Sequence, residues 1–140
     1  MAAIKIKRVN GKTHSEDIYH LQAECFPTDT PCLADVGYWW LAYDDDKPVA
    51  FGLLSPSRRW KNCGFLARAG VLKSYRGQGL QKRLIKGRVK YAKALGWTHV
   101  FTDTTDNVYS SNNLVACGFK MYKPSTPWSF KNALYFRIKF

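Results

Sequence analysis

The stretch Val71-Leu-Lys-Ser-Tyr-Arg76-Gly77-Gln78-Gly79-Leu80 is the part of the sequence best suited to chemistry. An apolar run ends there, an arginine and two glycines follow, and a basic amphipathic segment begins. Glycine lets backbone N–H groups turn inward and come close to a ligand. The unpaired N–H groups at the start of a helix then favour an anion. A phosphate is the group such a junction suits, with Arg76 as an added charge. The junction departs from two common phosphate loops. No glycine stands three positions beyond Gly79, as the dinucleotide fingerprint requires, and no Gly-Lys-Ser/Thr follows, as in nucleoside triphosphate loops. Hydride transfer and triphosphate hydrolysis therefore lose support. An ordinary helix capped by turn residues gives the same string, so this junction alone does not choose the ligand.

Other reactive side chains add little. The cysteines, Cys25, Cys32, Cys63 and Cys117, are too scattered for a disulfide framework, so reduced thiols are expected. The histidines, His14, His20 and His99, lack metal-ligand spacing, and no metal site is expected. Acidic side chains are scarce: none occurs between Asp46 and Asp103, a segment that holds 13 Lys or Arg residues. Such a cationic stretch attracts polyanions, whether nucleic acid, an acidic protein or a phosphorylated cofactor, and otherwise serves solubility.

The elements that would position these groups can be read from periodicity. Ile4 to Val9 alternates as a strand, and Asn10-Gly11 supplies a turn. Thr13 with Glu16 forms the pattern of a capping box, opening a helix that ends near Phe26-Pro27. Thr28 to Gly37 is expected to form a short second helix or an irregular lid. Tyr38 to Tyr43 and Val49 to Leu54 read as a hairpin across the acidic turn Asp44-Asp45-Asp46, and Cys63 to Leu72 as the next strand of an antiparallel meander. Gln78 to Leu95 is an amphipathic helix with Leu80, Leu84, Ile85, Val89, Ala92 and Leu95 on one side and Lys82, Lys86, Lys90 and Lys93 on the other. Gly96 ends it, and Thr98 to Thr102 completes a βαβ unit. Asn107 to Cys117 is expected to be helical, and Phe119 to Tyr122 and Ala133 to Phe140 to be strands.

The whole chain has 140 residues and a net charge of +12, with 46% apolar and 15% aromatic residues. That is the size of one α/β domain, residues 1–140, and too apolar for a disordered basic tail. No 18-residue apolar run or signal-peptide pattern occurs, so a soluble, cytoplasmic protein without membrane contact is expected.

The order of these features resembles the GNAT superfamily of acyl-coenzyme A-dependent N-acyltransferases. In that family a splayed strand is followed by a loop reading Arg or Gln, two variable residues, Gly, a variable residue, and Gly or Ala. Here Arg76 and Gly79 match, and Gln81 departs from the last place. Asn107, then Asn112 through Gly118-Phe119, resembles the family's second cofactor segment. The ending Pro124-Ser-Thr-Pro-Trp128, with Ala133-Leu-Tyr-Phe-Arg after it, resembles a small bacterial and phage branch. The resemblance implies a mixed, splayed central sheet flanked by helices and an acetyl transfer from acetyl-CoA to a primary amine by direct attack in a ternary complex. It assigns the coenzyme to Val71, Leu72, Arg76, Gly77, Gln78, Gly79, Leu80, Gln81, Asn107, Ser110 and Asn112.

The family's usual acid, a tyrosine four residues before the Gly-Phe glycine, is replaced here by Leu114. Tyr109, Ser110, Ser111 or Tyr122 are the substitutes the sequence offers, unless the thiolate leaves unaided. Glu24 is the expected base, with Asp29 and Asp103 behind it. Trp39, Trp40, Trp60 and Trp128 either line the acceptor pocket or fill the core, with at least two expected in the core. A small molecule or a protein is the expected acceptor, with the chain a monomer or homodimer. The other reading is a non-catalytic, basic nucleic-acid or ribosome-binding module on a degenerate acyltransferase fold.

Overall fold

The structure, a computed structural model, describes residues 3–140. In chain order it contains β1 (Ile4–Val9), α1 (Ser15–Cys25), β2 (Tyr38–Asp44), β3 (Lys47–Pro56) and β4 (Cys63–Val71). A single 3-10 turn (Lys73–Tyr75) leads to α2 (Leu80–Ala94), followed by β5 (His99–Thr104), α3 (Val108–Ala116), β6 (Lys120–Tyr122) and β7 (Leu134–Lys139). The strands form a seven-stranded sheet in the order β1-β2-β3-β4-β5-β7-β6. Every pairing is antiparallel except β4 with β5.

The two faces of the sheet are covered by different helices. On one face α2 lays Leu80, Leu84, Ile85 and Ala92 against Trp40, Ala50, Leu54, Leu66 and Val100. On the other, Ile18 and Leu21 of α1 pack on Trp39, Leu41, Phe51 and Leu53. Alternation along β2 and β3 divides neighbouring side chains between the two layers. Trp39 and Trp40 are therefore both core residues, on opposite faces, as expected for at least two of the tryptophans.

Local chemistry changes two of the expected element boundaries. Thr13 does not cap α1: its hydroxyl donates to the Asn10 carbonyl at 3.2 Å, and the N-cap position falls on His14, without a side-chain cap. Asn10 organises the turn instead, its Oδ1 accepting from the N–H groups of Lys12 and Thr13. Between α1 and β2 no second helix forms; the segment is irregular and is tied down by buried Gln22, which donates to the Cys32 carbonyl and accepts from the Cys32 N–H. Gly96, at φ 83°, ends α2 as expected.

Candidate active site

Strands β4 and β5 pair only from Cys63 to Phe65 and from His99 to Phe101. Beyond that point β4 stays with β3 and β5 with β7, so the sheet opens between them. The apex of the opening is pinned by buried Thr102, whose hydroxyl donates to the Leu66 carbonyl at 2.9 Å. Just past the apex, β3 and β4 slip register: Gly52 faces Ala69 and Leu54 faces Leu66. Leu53 alone thus stands opposite Ala67 and Arg68, a bulge that turns backbone groups out of the ladder.

The opening forms a cleft of about 480 Å³ with walls from both layers. Gln81, Ile85 and Arg88 line it from α2, Ser110, Asn113 and Leu114 from α3, and Phe26 and Cys32 from the α1 side. The spacing of the α2 residues puts them on one helical stripe. Asp103, on β5, is the one carboxylate among the described lining residues. Its Oδ1 accepts from the Trp128 indole at 3.3 Å, which fixes the carboxylate at the cleft wall.

At the outer end lies the glycine junction. Gly77 and Gly79 have φ of 80° and 78°, a region that side chains disfavour. A Cβ at either would meet nothing within 4 Å, so backbone conformation rather than crowding calls for glycine. Gly79 caps α2 with no side-chain hydrogen bond, leaving first-turn N–H groups of the helix free for an anion. Arg76 folds back, its Nε donating to the Val71 carbonyl at 3.1 Å, and remains solvent-exposed. On the facing side, Asn107 caps α3 through Oδ1, which accepts from the Ser110 N–H at 3.0 Å. Its Nδ2 donors stay available to the cleft that Asn107 also lines. Free amide donors beside Gln81 and a cleft between the strands fit a long ligand with a phosphorylated end.

Two arginines line this cleft. Arg68 is held toward its α1 side, donating to the Thr30 carbonyl at 3.0 Å and pairing with Asp29 at 3.4 Å. Arg88 is only 2% exposed, and its guanidinium donates to the carbonyls of Leu84, Leu53 and Ala67. Burial pushes its pKa down to about 10, partly opposed by the negative charge of Cys117 in its thiolate form. Arg88 therefore remains a cation at neutral pH.

The structure gathers some of the expected site residues and separates others. Gln81, Asn107 and Ser110 line the cleft; Arg76 to Leu80 directly precede Gln81 in the chain without lining it, and Val71, which ends β4, and Leu72 after it also stay outside the lining, with Val71 and Leu80 buried in the core. Asn112 points to solvent, because the cleft side of α3 is the Ser110, Asn113, Leu114 stripe. Tyr109 is 85% exposed for the same helical reason and does not line the cleft. Glu24 is exposed and outside the lining. Tyr122 lies beyond the cleft, against Phe101, with its hydroxyl buried and unpartnered and Arg137 over its ring at 4.2 Å. Burial pushes the Tyr122 phenol up, making it a weaker acid, against the opposing effect of Arg137 and Arg59. Cys117 packs toward the Lys82 carbonyl and is not part of the lining. Trp60 and Trp128 stand on a separate, largely apolar pocket with Phe65 and Phe101. Arg88 escaped the sequence reading, although a cation on the apolar stripe between Leu84 and Ala92 was a visible signal.

The sequence model described as the acetyltransferase (GNAT) family matches residues 8–119, and the chain belongs to that family. It is an N-acetyltransferase that uses acetyl-CoA. No curated protein matches the sequence. Among solved structures the chain is similar to an IAA acetyltransferase from Bacillus cereus, at 14% identity and a TM-score of 0.77, covering 99% of this chain and 100% of that one. It is similar to a Bacillus subtilis acetyltransferase in complex with CoA, at 15% identity and a TM-score of 0.74 over 99% of each chain. It is also similar to the ribosomal-protein-S18-alanine N-acetyltransferase from Escherichia coli, at 13% identity and a TM-score of 0.76, covering 98% and 94%. At such identities these likenesses establish the fold, which is the splayed, mixed sheet expected. Among the described residues no helix is long and apolar enough to cross a membrane.

Proposed function

We propose that the protein moves the acetyl group of acetyl-CoA to a primary amine by direct attack, with both substrates bound at once. The observation that carries this reading is the cleft between β4 and β5, with free backbone donors at one end and a single carboxylate, Asp103, on its wall. The coenzyme supplies an acyl group already activated as a thioester. Gly77 to Gln81 hold its pyrophosphate through backbone N–H groups, helped by the positive end of α2. Val71 and Leu72 offer backbone groups to its arm, and Asn107, Ser110 and Asn113 line the opposite side.

The acceptor enters from the α1 side, between Phe26, Cys32, Arg68 and Asp103. An alkyl ammonium must lose a proton before it can attack, and Asp103, directly or through a water, is the group that takes it. Glu24 is exposed and is not one of the residues lining this wall. Leu114 is an apolar position on the α3 wall, beside Ser110 and Asn113, and has no proton to donate. The acceptor class is a primary amine on a small molecule or a protein, and we place the reaction in the cytoplasm, carried out by a single domain of residues 1–140.

The test is transfer of labelled acetyl from acetyl-CoA to a panel of free amines, peptides, ribosomal proteins and aminoacylated RNAs. Incorporation that depends on the protein and is lost in Asp103→Asn is expected. No incorporation into any acceptor, together with no saturable acetyl-CoA binding, would contradict the reading.

A further inference from the structure

Arg88 is a buried cation with no carboxylate partner among the described residues, where the one ion pair joins Arg68 to Asp29. Such a charge is costly to bury unless it is paired or fully hydrogen-bonded. Its Nε and Nη1 are committed to the carbonyls of Leu84, Leu53 and Ala67, at 3.1, 3.1 and 3.5 Å. Its Nη2 makes no hydrogen bond within the protein and is not among the sealed, unpartnered atoms, so it opens to the cleft that Arg88 lines. Gly52 makes room for the side chain: a Cβ there would lie 3.0 Å from the Arg88 Nε.

The position of this cation along the cleft is informative. From Gln81 at the mouth to Arg88 the α2 wall descends about 10 Å, at about 1.5 Å per residue. Two of the carbonyls that hold it, Leu53 and Ala67, belong to the bulge, and Ala67 adjoins Leu66 at the apex pinned by Thr102. A ligand anchored at Gly77 to Gln81 and threaded between the strands meets Arg88 at the depth where the cleft ends. Leu114, on the α3 side of the same cleft, has no proton to give.

We propose that Arg88 receives the negative charge forming on the coenzyme sulfur, so that the leaving group departs as a thiolate stabilised by a fixed cation. The inference rests on the acetyl-CoA reading above. In the step, the amine nitrogen bonds to the thioester carbon, and the C–S bond breaks with both electrons remaining on sulfur. The proton that Asp103 took from the ammonium has by then passed to solvent, so the surplus proton on nitrogen goes to the freed carboxylate or to a water beside it, and Arg88 keeps its own protons. A preorganised cation in a site shielded from water stabilises such a charge more strongly than one in water. The guanidinium, whose pKa is about 10, does not titrate in the working range.

The other ionisable groups facing the cleft are Cys32 from the α1–β2 segment, Arg68 from β4 and Asp103 from β5. Cys117, on the α3 side, lies close to Arg88 but outside the lining, with its thiol pushed up by burial and pulled down by Lys86, Lys82 and Arg88. Arg68 is the rival cation, but its guanidinium is already engaged by Asp29 and by the Thr30 carbonyl.

The experiment reads binding rather than turnover. The thiol of CoA bound to the wild-type protein is titrated by thiolate absorbance, and the affinities of CoA and desulfo-CoA are compared across pH. A bound thiol that titrates at least about one pH unit below free CoA, with CoA gaining about tenfold over desulfo-CoA as pH rises toward the free thiol's pKa, is expected. Both effects should vanish in Arg88→Gln, survive partly in Arg88→Lys and survive fully in Arg68→Gln. If Arg88→Gln does not fold, the wild-type titration with the Arg88→Lys and Arg68→Gln comparisons decides. A bound thiol titrating at or above the free value, or a shift lost in Arg68→Gln instead, would overturn the role of Arg88 while leaving the acetyl-CoA reading intact. Failure of both CoA and desulfo-CoA to bind would overturn both.

Discussion

Asp103 and Glu24 are both candidates for the base, and their surroundings differ. Asp103 lines the cleft and is held by the Trp128 indole, whereas Glu24 is exposed at the end of α1. Asp103→Asn should lower kcat/KM by about 10²- to 10⁴-fold with an accepted amine while CoA affinity stays within twofold. Glu24→Gln should leave both the rate and its pH profile unchanged; a lost basic limb in that variant would return the role to Glu24. Among the glycines, Gly79→Trp should weaken CoA binding at least tenfold, measured by calorimetry, with unfolding still cooperative, because open space surrounds the new side chain while its φ and its bulk disturb the donors. The turn at Gly77 and Gly79, both at positive φ, was legible in the sequence because glycine reports on backbone shape. Asp103 and Arg88 were harder to read, since sequence position carries no sign of which side chains a sheet opening will bring together.

The gap between β4 and β5 depends on a few local devices. Thr102 closes its apex and Arg88 bridges Leu53 and Ala67 across the bulge. Thr102→Val removes the hydroxyl with little change of shape and leaves the Leu66 carbonyl unpaired in the interior. It should cost about 1–2 kcal/mol, read as a lower urea midpoint at unchanged slope. Gly52→Ala crowds the Arg88 side chain and should cost about 1–3 kcal/mol; stability equal to the wild type would show that the close packing of this helix on β3 is relaxed. Most strands and helices were visible in the alternation and the 3.6-residue period. The β2–β3–β4 meander and the parallel β4–β5 step followed from them. The bulge and the splay were not visible as such, because register slips arise from tertiary contacts. The Thr13 cap failed for a similar reason: Asn10, three residues earlier, takes the turn hydrogen bonds that the capping pattern assigned to Thr13.

The +12 charge is spread over a molecule in which, among the described residues, two cations line the cleft, Arg68 and Arg88. Lys82, Lys86, Lys90 and Lys93 are exposed along α2, which begins at the glycine junction. Their field should draw in the phosphorylated coenzyme. Reversing Lys82 and Lys86 to Glu should slow CoA association several-fold at low salt in stopped-flow measurements, with the difference shrinking as salt rises; equal rates at low salt would remove the steering role. The central claim, that this sheet opening is an acetyl-CoA site, is tested most directly by calorimetric titration of the wild-type chain with acetyl-CoA at moderate ionic strength. One saturable site per chain, lost in Gly79→Trp, is the predicted result. No saturable binding, with tight and salt-sensitive binding of RNA in its place, would contradict it.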